Sequence, residues 1–233
     1  MGLHADTVGM LEGLTTTRSV RRYTDEPLPD RVLRDILFAA TRAPSGSNRQ
    51  PFRFMVLTDG DKAVAAKKLL ADAAARVWNV KRGADGYAEG SGAVDDSPKA
   101  RMARVMDAYV ENLDHVPVLV LACLVRYREP NPAEGASVYP AVQNLLLAAR
   151  SLGYGGTLTG FHSLVDAELK QLLGIPPEVF IAASVTLGKP AGSHGPVRRA
   201  PMGDLVHGDT WGEPAPWAVD PPGTRHTRHG AGA

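Results

Sequence analysis

Residues 117–126, PVLVLACLVR, are apolar at every position between a proline and an arginine. An apolar run without alternation reads as a strand buried on both faces, so the chain needs a central sheet with cover on each side. FIAASVTLG at 180–188 reads as another strand, PFRFMVLTD at 51–59 as a third, and GTLTGF at 156–161 as a short strand or turn.

Helical spacing fills the intervals. The first helix is expected from about Val8 to Thr17, and a second from Asp30, which is placed to cap it. Val32, Leu33, Ile36, Leu37 and Ala40 share one face of that second helix. Residues 61–80 and the stretch from Lys99 to about His115 follow as helices. In 137–156, Val142, Leu145, Leu146 and Ala149 form a core face and Gly153 is placed as a C-terminal cap; 164–174 is a helix ended by Gly174. Strands mixed among helices, without an internal repeat, imply an α/β or α+β domain with a central sheet.

The 233 residues, 44% hydrophobic and 22% charged, suit an ordinary globular protein. A formal net charge of +1 gives no reason to expect nucleic acid or an anionic membrane as partner. The single cysteine, Cys123, excludes an internal disulfide, and its apolar surroundings make it a small core side chain rather than a nucleophile. The start, MGLHADTVGMLEGL, lacks the pattern of a signal peptide, and no apolar stretch is long enough to span a membrane, so a cytoplasmic protein is expected.

The usual chemical signatures are absent. There is no GxxxxGK[ST], no HExxH and no G-x-S-x-G, and Gly153, Gly155, Gly156 and Gly160 follow a helix rather than a strand, the reverse of the dinucleotide-binding context. No metal site is expected from the seven histidines. Three polar clusters remain: Arg18, Ser19, Arg21 and Arg22; Ser45, Gly46, Ser47, Asn48 and Gln50; and Arg198 with Arg199. Arginine forks with a hydroxyl suit a phosphate, although a lone basic run fits a solvated surface better. The serine loop fits either a ligand contact or a well-capped turn.

In this order, TTTRSVRRY, APSGSNRQPFRF, YPAVQNLLLAARSLGYGG and LGKP…RRAP resemble the nitroreductase-type FMN-dependent flavoprotein family, over roughly residues 12–206. The resemblance implies an α+β fold, a mainly antiparallel central sheet flanked by helices, in an intertwined homodimer with FMN at the interface. It implies a nitroreductase-like domain over 8–206 and an extension over 207–233 whose end is expected to be disordered.

By the same resemblance, Arg18, Ser19 and Arg21 hold the phosphate and ribityl of FMN and Arg199 closes the phosphate site. Many relatives have two arginines before the serine; here Thr17 precedes Arg18, and Arg22 or Arg198 is left as the compensating cation. Pro44, Ser45, Gly46, Asn48 and Gln50 are implied as flavin contacts from the partner subunit. Leu158, Thr159 and Gly160 are implied to pass beside the ring, with the backbone N–H of Thr159 or Gly160 near flavin N5. Thr159 stands where some relatives carry an acidic residue.

The implied activity is ping-pong hydride transfer from NADPH or NADH through FMN to a small electron-poor acceptor, a nitroaromatic, quinone or enone. A deazaflavin-linked reductase, an oxygen-dependent flavin-cleaving enzyme and a flavin-storage protein remain alternatives on the same fold. The glycine-rich stretch 81–98 is a candidate lid, with Trp78 and Tyr87 either stacking groups or core.

Overall fold

The computed structural model describes residues 2–192 and 197–227. Its backbone contacts define two units, Met1–Gly192 and Ser193–Ala233. The first unit carries, in order, α1 (Met10–Thr16), α2 (Asp30–Ala40), β1 (Phe52–Leu57), α3 (Asp61–Ala84), α4 (Pro98–Glu111), β2 (Val118–Val125), α5 (Tyr139–Ser151), β3 (Gly155–Thr159), α6 (Asp166–Leu173) and β4 (Val179–Gly188). The strands lie in the order β1-β2-β4-β3 and every pairing is antiparallel, which makes the fold α+β.

Period-two alternation explains why β2 is apolar throughout. Val118, Val120, Ala122 and Leu124 face one core with Val32, Leu33 and Ile36 of α2 and Val142, Leu145 and Ala149 of α5. Leu119, Leu121 and Cys123 face the other, against Ala66, Leu70, Ala73 and Ala74 of α3 and Leu169 of α6. Each face has its own helical layer, so both sets of β2 side chains are buried. Truncating a central side chain such as Leu121 to alanine should cost about 2–5 kcal/mol.

Two local expectations are corrected. Asp30 does not cap α2: Pro29 occupies the cap position, with no side-chain cap bond, and Asp30 is the first helical residue, where its charge favours the helix dipole. α3 runs on to Ala84, into the start of the glycine-rich stretch. Trp78 goes to the core rather than to a stacking role; it is 4% exposed and its Nε1–H donates to Asp107 Oδ1 at 2.7 Å. Tyr87 packs against the Trp78 ring, with centroids 5.1 Å apart. The glycine stops fall as expected: Gly153 and Gly174 take φ of 81° and 69°, left-handed conformations that favour a residue without a β-carbon.

The N-terminal segment is tied across the helices. Thr7 N–H and Oγ1–H both donate to the Ser151 carbonyl at 2.7 Å, and His4 meets the buried Asp35 of α2. In the second unit, the described residues are irregular apart from a short turn at Met202–Asp204 and the bridges Arg199–His226 and His207–Pro214. Residues 228–233, part of the end expected to be disordered, lie outside the described residues. No described helix is long and apolar enough to cross a membrane.

Candidate functional site

The arginine segment leaves α1 in extended conformation and lies along the sheet edge. Val20 N–H donates to the Gly156 carbonyl of β3 at 2.9 Å, and Thr24 N–H to the Lys189 carbonyl just past β4 at 2.9 Å. Two glycines permit the approach. A β-carbon on Gly155 would stand 2.6 Å from Val20 Cγ2, and one on Gly188 would stand 2.6 Å from the Tyr23 ring.

A chain of hydroxyls anchors the segment from beneath. Tyr109 Oη lies 3.0 Å from Thr186 Oγ1, Thr186 Oγ1 lies 2.8 Å from Tyr23 Oη, and the Tyr23 hydroxyl donates to the Val20 carbonyl at 2.5 Å. Donation in that order satisfies each group once. Burial pushes the Tyr109 phenol up to about 12 and raises that of Tyr23 further, so both stay protonated hydrogen-bond donors.

Above this anchor, the Nε of Arg21 is buried without a hydrogen-bond partner. Arg21, Arg22 and Tyr23 line a cleft of about 180 Å³ with Tyr109, Asn112 and His115. A buried guanidinium nitrogen left unpaired costs free energy unless a ligand satisfies it. The arginines and the Asn112 carboxamide supply donors for phosphate and carbonyl oxygens of FMN, and the Asp25 carboxylate in the same lining can accept from a ribityl hydroxyl.

The serine loop has a different character. Ser45 Oγ accepts from Gln50 N–H at 2.8 Å, Asn48 N–H donates to the Ser45 carbonyl at 2.9 Å, and Gln50 Nε2 donates to Asn48 Oδ1 at 3.2 Å. The loop therefore caps itself. Yet Ser47, Asn48 and Gln50 all take positive φ, 53°, 51° and 49°, a concentration of left-handed residues that a plain turn does not need. Pro44, Gly46, Asn48 and Gln50 are exposed and Ser45 is half-buried.

Leu158 and Thr159 end β3, and Gly160 follows it with nothing within 4 Å of where its β-carbon would be. Because the Gly156 carbonyl turns outward to Val20, strand alternation pairs Thr157 and Thr159 with β4 and leaves the Gly160 N–H on the outer edge.

The first unit thus unites the arginine segment with Leu158–Gly160 on one edge of the sheet. It does not bring the serine loop to them. That loop enters β1 at the opposite edge, where Phe52 lies across from Leu124 and Leu124 from Phe180, whereas the arginine segment meets Gly156, across from Leu187. At about 4.8 Å per strand and 3.4 Å per residue, Phe52 and Gly156 are separated by about 14 Å across the sheet and about 24 Å along it, and the arginine segment lies beyond Gly156. Arg199 belongs to the second unit, where its Nη1–H donates to the Arg198 carbonyl at 2.8 Å.

Tyr23, Tyr109, Asn112, Ser184 and Thr186 escaped the sequence reading. The signal was present in β4, where Ser184 and Thr186 alternate with Ala183, Val185 and Leu187; the polar residues share the face beneath the arginine segment and are fully buried. Among the described residues no group of three His, Cys, Asp or Glu could hold a metal ion.

This α+β fold, an antiparallel sheet flanked by helices, is found in solved structures. The FMN and NADPH-dependent nitroreductase NfnB of Sphigopyxis sp. strain HMH shares it at a TM-score of 0.65 and 22% identity, over 88% of this chain and 100% of that one. A Desulfovibrio desulfuricans protein crystallised in complex with FMN shares it at a TM-score of 0.63 and 27% identity, over 87% and 97%. The model of the Nitroreductase family matches residues 14–189, and the chain belongs to that family. It is 32% identical to an NADH dehydrogenase of Thermus thermophilus, over 81% of this chain and 90% of that protein. To a 4-nitrobenzoate reductase of Nocardioides sp. it is 30% identical, over 76% and 78%.

Proposed function

We propose that the chain is an FMN-dependent oxidoreductase that takes hydride from NADPH or NADH and delivers it to a small electron-poor acceptor, a nitroaromatic, quinone or enone, by a ping-pong mechanism. The observation that carries this reading is the unpartnered Arg21 Nε in the basic segment that pairs with the edge strand β3. Family membership and the FMN-bound relative support it.

FMN, when bound, supplies the hydride chemistry itself, taking hydride at N5 and passing it on. This chain's residues bind and orient. Arg18, Ser19 and Arg21 would hold the phosphate and ribityl. Leu158 and Thr159 would flank the ring, and the outward Gly160 N–H would donate at its reacting edge. Fixed donors and a nearby cation favour the negative charge that hydride brings. Pro44, Ser45, Gly46, Asn48 and Gln50 would complete the site of a second copy, since one chain holds the two clusters at opposite sheet edges.

The test is the visible spectrum of the protein supplied with FMN, recorded again under anaerobic NADPH and NADH. A yellow protein that bleaches with either nucleotide supports the proposal and identifies the donor. A protein that takes up no FMN overturns it, and a yellow protein that resists both nucleotides overturns the nicotinamide-linked reading.

A further inference from the structure

His162 lies two residues beyond Gly160, is 5% exposed, and has no part in the binding scheme above. Its Nε2 sits 2.8 Å from the Ile181 carbonyl, beside the bulge where β4 slips against β2. A carbonyl only accepts, so Nε2 carries the proton and Nδ1 is bare. Burial lowers the His162 pKa, only partly offset by the Ile181 carbonyl and by Asp166, which keeps the ring neutral. Nδ1 faces Ser184 Oγ at 3.3 Å, and that oxygen lies 2.8 Å from Thr159 Oγ1 and 3.1 Å from the Thr159 carbonyl.

Ser184 Oγ thus lies within hydrogen-bond distance of two pure acceptors, Nδ1 and the Thr159 carbonyl, between which its one proton is divided, and the Thr159 hydroxyl is free to donate to it. The peptide joining Thr159 to Gly160 is thus gripped through its carbonyl. On the other side, Ser163 N–H and Oγ–H both donate to the Gly160 carbonyl, at 3.1 and 2.9 Å. Gly160 has no side chain of its own, and nothing lies within 4 Å of where its β-carbon would be, so its peptide is held by these hydrogen bonds rather than by packing. Apolar residues at positions 162 and 184 would fill the interior without two buried polar groups to satisfy, so this polar pair, reaching the half-buried Thr159, calls for a use beyond packing.

We infer that His162 and Ser184 are positioning residues for the proposed reaction: through Thr159 they fix the peptide plane that presents the Gly160 N–H to the cofactor. The inference rests on the FMN reading above. It adds that a buried neutral histidine, rather than the acidic residue some relatives have at the position of Thr159, sets the geometry at the reacting edge.

The test uses the FMN-loaded protein carrying Ser184→Ala, His162→Leu, both together, and Thr159→Val as a milder cut in the same network. FMN affinity, the midpoint potential of the bound FMN and the single-turnover rate of bleaching by the preferred nucleotide are measured, with melting temperature as a check on folding. Each single variant should slow bleaching by about ten- to a hundredfold and shift the potential, because small misplacements of a catalytic donor are costly. FMN affinity should change by less than about threefold, and the double variant should lose no more than the worse single, since the residues act as one unit. Folded, flavin-loaded variants with wild-type potential and rate would overturn the inference, as would additive losses. A wild-type chain that binds no FMN overturns the functional reading itself, and this inference with it.

Discussion

Val20 and Gly155 stand so close that a β-carbon on Gly155 would fall 2.6 Å from Val20 Cγ2. The basic segment reaches the edge of β3 only because the strand offers backbone there. Gly155→Ala, or Gly188→Ala beneath the Tyr23 ring, should push the segment outward. Overpacking of this kind costs about 1–3 kcal/mol, so FMN should bind about tenfold more weakly or worse in a protein that still folds. Fluorescence titration with FMN measures it; unchanged affinity in both variants would refute the close-approach account.

Arg21→Leu separates binding from folding. The Nε it removes has no hydrogen-bond partner among the described residues, so the melting temperature should not fall. FMN affinity should drop by about tenfold or more, the scale of a charge-assisted hydrogen bond. Arg18→Ala should likewise weaken FMN retention. Undiminished flavin content after purification would remove either residue from the site.

The opposite-edge placement of the two polar clusters makes a genetic prediction. Arg18→Ala and Asn48→Ala homodimers should each bind FMN poorly. Co-expressed, the two chains should form mixed dimers in which one site has both intact clusters, restoring roughly a quarter of the wild-type sites if pairing is random. Absence of any recovery in isolated mixed dimers would mean that the loop does not serve the partner's site.

Asp35 should dominate the acid sensitivity of the N-terminal tie. Burial alone would raise its carboxyl, but the His4 backbone N–H, the His4 imidazole and the Arg34 guanidinium outweigh it and hold it well below the usual carboxylate range. A depressed carboxylate stabilises the fold above its unfolded value of about 4 and loses that contribution as pH falls below it. Asp35→Asn should therefore melt below wild type at pH 7, with the difference shrinking as pH drops under about 4. Melting curves across pH 3–7 decide this; a constant difference would show that the charge is not the cause.

Cys123 should be inert. It is 2% exposed and burial pushes its thiol up to about 11, so little thiolate forms at pH 8. Alkylating reagents should modify it only after denaturant is added, as mass spectrometry would record. Rapid labelling of the native protein would contradict the buried-strand placement.

Much was readable in advance because it depends on short-range rules. Unbroken apolarity marked β2 as buried on both faces, helical spacing found the inward face of α2, and glycines marked the ends of α5 and α6. The RSVRR and PSGSN motifs pointed to a cofactor only through the family resemblance, since alone the first fits a solvated surface better and the second fits a capped turn equally well. Other features were not readable, since they depend on which segments meet. Trp78 could be sorted into the core only once Asp107 of α4 was seen to accept its N–H. His162, Ser184 and Thr186 look like incidental polar residues until the fold sets Thr186 against Tyr23 and brings His162 and Thr159 to Ser184. The sequence by itself determined the elements, their buried faces and the chemistry of the polar clusters, because side-chain spacing and hydrogen-bonding capacity are local properties. Only the tertiary structure decided that two of those clusters occupy opposite sheet edges and that Arg21 is left unpaired, because strand order and burial are set by contacts between residues far apart in the chain.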